Sequence, residues 1–162
     1  MIHNTFRLTF FFMTSGALLA CASAQDLRQS PCPPAESMKA DQLHGRWDVR
    51  FAHPPAGLPG RAVLLLKRHA EFSESLAGTV SREWSKGPSA ANHTAQAALA
   101  GDLDEGMLLL DESSDNVSIT GTWNGEMKAG SCGKVYQGHW KDTSASAAPD
   151  TPNVPFTMTR LP

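Results

Sequence analysis

The chain has 162 residues, 14 basic and 16 acidic, of which 41% are apolar and only 7% aromatic. That length suits one domain built on one core and excludes two independent ones. A net charge of −2 excludes the basic footprint of a nucleic-acid binder, while 13 Gly and 11 Pro suit a turn-rich β protein.

Residues 1–24 read as a secretory signal. Arg7 supplies a positive start, Leu8 to Ala20 is an uncharged run of 13 residues, and Ala22-Ser23-Ala24 is a small-x-small cleavage site. Such a run is shorter than the roughly 20 residues that span a bilayer. Leu18-Leu19-Ala20-Cys21 also resembles the bacterial lipobox, in which the Cys is lipidated and becomes the new N-terminus. The segment therefore predicts export, either to the periplasm as a soluble protein or to the envelope through a lipid on Cys21. That lipid is the only membrane contact expected. Removal of residues 1–24 takes away one Arg and no acid, leaving a net charge of −3. Both processing routes take Cys21 out of pairing and leave Cys32 and Cys132, which an oxidising compartment joins as a disulfide.

Residues 25–42 are polar and Pro-rich and read as a tether, with the folded domain over 43–162. Within that domain apolar and polar residues alternate with period two in segments separated by turn residues. Arg46–Phe51 places Trp47, Val49 and Phe51 on one face. A Pro-rich loop leads to Ala62–Leu66, then Leu76–Arg82, then a loop over 86–93. Ala97–Leu103 and Met107–Asp111 flank Asp104-Glu105-Gly106 as a tight hairpin. Strands Val117–Met127 and Lys134–Lys141 follow, then the low-complexity loop 142–153 and a last strand, Val154–Arg160.

Four of these strands share the form apolar-x-Gly-x-apolar, around Gly78, Gly101, Gly121 and Gly138. Glycine inside a strand costs stability unless the backbone bends or is closely approached. On the inner face of four strands it lets a sheet coil tightly. The predicted fold is all-β, an eight-stranded antiparallel up-and-down barrel, because closure removes exposed edges. A two-layer β-sandwich is the alternative.

The layout resembles the calycins, the barrels that include lipocalins and avidins. Gly45-Arg46-Trp47 opening the first strand and Arg160 near the end of the last carry the likeness. In lipocalins such a Trp plugs the closed end and such an Arg stacks across it, so the resemblance implies that Gly45, Trp47 and Arg160 close this barrel. The strand repeats are also similar to the Gly-Thr-Trp and Gly-x-Tyr strands of avidins, although the polar set that holds biotin has no match. Ser131 to Tyr136 is similar, with altered spacing, to the Ser/Gly/Tyr signature of exported lysozyme inhibitors.

Nothing in the sequence points to catalysis. No Gly-x-Ser-x-Gly turn or phosphate-cradling loop occurs, the His residues lack ligand spacing, and the acids of 102–105 and 111–115 read as turn acids. No metal or cofactor is expected. The parity of the glycines puts Val80, Arg82, Trp84, Leu103, Ile119, Trp123, Tyr136 and Trp140 on the inner face. Trp and Tyr give a site both shape and hydrogen bonds. Arg82, Trp84, Trp123, Tyr136 and Trp140 are thus the candidate binding residues for a small, partly apolar or amphipathic molecule, with Arg82 facing an anionic group. The alternative is an envelope protein-binding module, an inhibitor of lysozyme or proteases or an assembly accessory, whose loops do the work.

Overall fold

The computed structural model describes residues 32–84 and 93–162, apart from the side chains of Trp84 and His93. Residues 1–31, with the predicted signal, Cys21 and the start of the predicted tether, lie outside it. Eight strands form a closed ring: β1 (Gly45–Phe51), β2 (Arg61–Arg68), β3 (Leu76–Trp84), β4 (His93–Asp104), β5 (Met107–Ser113), β6 (Gly121–Met127), β7 (Val135–Asp142) and β8 (Val154–Arg160). Each pairs antiparallel with the next in the chain. β1 pairs with β8 from Trp47↔Arg160 to Phe51↔Phe156, so the ring has no free edge. This is the up-and-down barrel, not the sandwich.

The period-two pattern is what closes it. In β5 the burial alternates strictly, with Leu108, Leu110 and Glu112 inside and Met107, Leu109 and Asp111 outside. Trp47, Val49, Leu64, Leu76, Val80, Leu108, Tyr136 and Met158 have no exposed surface at all. Each fully buried aliphatic side chain contributes about 1.5–3 kcal/mol. The strand glycines have the predicted cause. A methyl at Gly78, Gly101 or Gly138 would collide with the carbonyl of Leu65, Leu109 or Asn124 on the adjoining strand. The strands coil too closely there for any side chain.

One predicted strand starts later than expected. The Asp115 carboxylate accepts the N–H groups of Val117 and Ser118 at 2.9 and 2.8 Å, and Asn116 sits in the left-handed region. Residues 114–120 therefore form a loop, and Ile119 is 51% exposed rather than inside the barrel. Conversely, β4 begins at His93, four residues before the predicted Ala97.

From Cys32 onward the predicted tether is packed against the domain. Short 3-10 turns at Ala35–Ser37 and Ala40–Leu43 carry Met38, Ala40 and Leu43 into the core under the end where β1 begins. The Cys32–Cys132 disulfide, with Cα atoms 4.5 Å apart, fastens this segment to the β6–β7 loop.

The disulfide closes a span of 100 residues, for which chain entropy allows about 4.7 kcal/mol. Replacing both cysteines with Ser should lower unfolding stability by about 2–5 kcal/mol in urea titrations. Unchanged stability would show that the bond constrains nothing. Gly138→Ala should cost about 1–3 kcal/mol as an overpacked site. Gly60→Ala, where the nearest atom (Pro54 Cγ) is 3.9 Å away, should stay within about 0.5 kcal/mol.

Candidate functional site

The barrel has two different ends. At the end where β1 starts, Trp47 is fully buried and donates its indole N–H to the Leu43 carbonyl at 2.9 Å. The Tyr136 ring meets it edge-on at 5.8 Å. The Arg160 guanidinium lies 5.9 Å from the Trp47 ring centre, and its two terminal nitrogens donate to the Gln42 and His44 carbonyls at 2.6 and 2.7 Å. Gly45 adopts φ +132°, and a methyl there would touch the Arg160 guanidinium at 3.6 Å. One cation thus satisfies two backbone acceptors and covers an indole face, a contact worth about 0.5–2 kcal/mol.

Toward the other end a polar group occupies the interior. Arg82 of β3 donates from both terminal nitrogens to Glu112 of β5, at 2.6 and 2.7 Å. The Glu112 Oε2 atom also accepts the indole N–H of Trp123 on β6, at 3.0 Å, and of Trp140 on β7, at 3.1 Å. The guanidinium carbon lies 5.6 and 5.2 Å from those two indole rings. Phe51 packs against both indoles, and Phe156 against Trp123. Arg82 and Glu112 are 7% and 4% exposed. Bidentate, charge-assisted bonds are the strong kind, and only such geometry offsets the cost of taking two charges out of water.

Of the predicted binding residues, the structure brings Arg82, Trp123 and Trp140 together around Glu112, while Tyr136 lies apart, against Trp47. The Trp84 side chain lies outside the described residues. Arg82 is not left free for an anionic ligand, as its sequence context suggested, because Glu112 neutralises it. Glu112 itself reads in the sequence as a turn acid. The signal that places it is the alternation Leu108, Leu110, Glu112, which puts it on the inner face opposite Arg82.

Two buried polar atoms have no hydrogen-bond partner among the described residues, Arg82 Nε and the Tyr136 hydroxyl. Burial pushes the Tyr136 phenol up to about 12. Grooves on the outer wall include one of about 690 Å³ beside Arg46, Val63, Leu65 and Gln96, and one of about 470 Å³ beside Asn124, Gln137 and His139. Among the described residues, no three His, Cys, Asp or Glu side chains gather as a metal site. In comparison with known proteins, no family model matches the chain and no curated protein matches it.

Removing Glu112 alone strands a buried cation. Glu112→Ala should cost about 3–5 kcal/mol, whereas Arg82→Met with Glu112→Leu should recover most of that loss. A double variant no better than the sum of the two singles would refute the pairing. Tyr136 is the only tyrosine, so its ionisation is read directly by phenolate absorbance. An unfolded phenol ionises near 10 and the folded one near 12, so its share of stability is intact below pH 10 and lost between 10 and 12. Tyr136→Phe should remove this alkaline loss. It should also leave stability at pH 7 equal or higher, because a buried hydroxyl without a partner costs about 1–3 kcal/mol. A phenol titrating at 10 in the native protein would contradict the burial.

Proposed function

We propose that this chain is an exported, non-enzymatic, calycin-like barrel that acts as a protein-binding module through the loops at its open end. The observation carrying this reading is the contrast between interior and rim. The interior is occupied by large side chains, and its charged groups are spent on one another. At the rim, Val117 is 89% and Ile119 51% exposed on the 114–120 loop.

That loop is braced at its tip and its base. Asp115 accepts from Val117, Ser118 and the Ser113 hydroxyl, and its carboxyl is held down to about 2 by the Ser118 and Val117 backbone groups. Thr120 donates its N–H to the Glu112 carbonyl at 2.7 Å, and its hydroxyl accepts the Ser114 N–H at 3.1 Å. A braced loop with apolar tips loses little further entropy on binding, which favours affinity. Export is supported by the signal-like residues 1–24 and by the Cys32–Cys132 disulfide. An inhibitor of lysozyme or proteases, or an envelope assembly accessory, is the class of protein this describes.

A second reading, a small and partly apolar ligand at the open end, draws support from Arg82 Nε beside Trp140, which has no hydrogen-bond partner among the described residues. Such a ligand would be neutral with one acceptor atom, since Glu112 already balances Arg82.

The test uses the immobilised protein with envelope extract of its source cells, comparing wild type with Val117→Asp/Ile119→Asp. Both positions are exposed, so stability should change by no more than about 0.5 kcal/mol. A protein retained by the wild type and lost from the variant is expected. Identical recovery from both would overturn the loop reading. Saturable uptake of the uncharged probe N-phenyl-1-naphthylamine that quenches Trp emission would support the small-ligand reading instead.

A further inference from the structure

The outer wall carries opposite charge on opposite sides. Residues 45–68, spanning β1 and β2, contain five Lys or Arg and one acid, Asp48. Residues 93–127, spanning β4 to β6, contain six acids besides the buried Glu112, and no Lys or Arg. In a ring of eight strands, β1–β2 and β5–β6 face away from each other.

Register shows how each wall is organised. On the acidic wall Leu109 is flanked by Asp102 on β4 and Asn124 on β6, and Met107 by Asp104 and Glu126. Leu109 and Met107 are 41% and 42% exposed, an aliphatic centre inside an acidic rim. On the basic wall Leu65, 48% exposed, is flanked by Arg46 on β1 and Thr79 on β3. Lys67 follows on the same outward face of β2. Asp48 is already bound by Arg50 and Arg61. Burial raises its pKa, but those hydrogen bonds and charges outweigh burial and hold the carboxyl below its usual range. Among the described residues Arg46 and Lys67 make no ion pair. The 690 Å³ groove begins at Arg46 and Leu65 on this wall and continues across β3, past Glu83, to Gln96 on β4.

We infer that the acidic β4–β6 wall of one copy docks on the basic β1–β2 wall of a second copy, with Leu109 and Met107 set against Leu65. Each wall has the anatomy of an interface, an apolar centre within a charged rim, and the rims are of opposite sign. Because the two walls differ, the contact is head-to-tail and each added copy leaves one wall of each kind open. Association therefore grows with concentration instead of stopping at a symmetric pair. This inference is independent of the open-end loop and of whatever that loop binds.

Sedimentation velocity on the purified protein tests it. At about 0.02 M salt the weight-average mass should rise with concentration, and at about 1 M, where screening acts within ~3 Å, it should fall to the monomer. Arg46→Glu/Lys67→Glu and Asp102→Lys/Asp111→Lys should each be monomeric at low salt. An equimolar mixture of the two should associate again, since each keeps the wall that the other lost. A monomer at both salt levels would overturn the inference. So would association that ignores salt and both reversals, or two folded variants that stay monomeric when mixed.

Discussion

One carboxylate holds four of the eight strands to a common point. Glu112 projects inward from β5 and takes both terminal nitrogens of Arg82 from β3, with the indole N–H groups of Trp123 and Trp140 from β6 and β7. Burial of Leu108 and Leu110 already opposes a one-residue slip of β5. The carboxylate adds to that choice, because the same slip would turn Glu112 outward and leave Arg82 as an unpaired buried cation. The aromatic packing of Phe51 and Phe156 around the indoles depends on that choice.

The two ends follow from the same economy of polar groups. At the closed end, Arg160 and the Trp47 indole satisfy backbone carbonyls of the segment that enters the barrel, and the disulfide keeps that segment in place. At the open end the 114–120 loop satisfies its backbone through Asp115 and Thr120 and leaves its aliphatic side chains in solvent. A barrel so filled has its surface free for recognition, and the proposals above concern that surface: a rim with apolar tips and two walls of opposite charge.

Much of the architecture was legible in the sequence, for physical reasons. Alternation along Arg46–Phe51 and Met107–Asp111 fixes which face is buried. The glycines at 78, 101 and 138 mark where strands approach too closely for a side chain. The cysteines at 32 and 132 meet as a disulfide. The interior chemistry was only half legible. Arg82 could be placed inside by parity, but its partner lies 30 residues away on β5, and a sequence offers no distance between them. Glu112 sits between Asp111, which faces solvent on β5, and Asp115, which braces the loop, and those neighbours disguised it. Val117 and Ile119 have strand-like composition, yet Asp115 offers the backbone a closer partner than the sheet does. The packing of Met38 and Leu43 into the core was hidden because Pro33-Pro34 and the surrounding polar residues resemble a linker.

The most direct test of the filled, carboxylate-centred interior is hydrogen exchange at the indole nitrogens, followed by NMR. The Trp123 and Trp140 N–H groups, bonded to one buried carboxylate, should exchange only when the whole molecule unfolds, with the same free energy as global denaturation. Exchange of either indole at a free energy well below the global value would mean that water reaches the interior of the folded barrel, and the account of Glu112 as its organising group would be wrong.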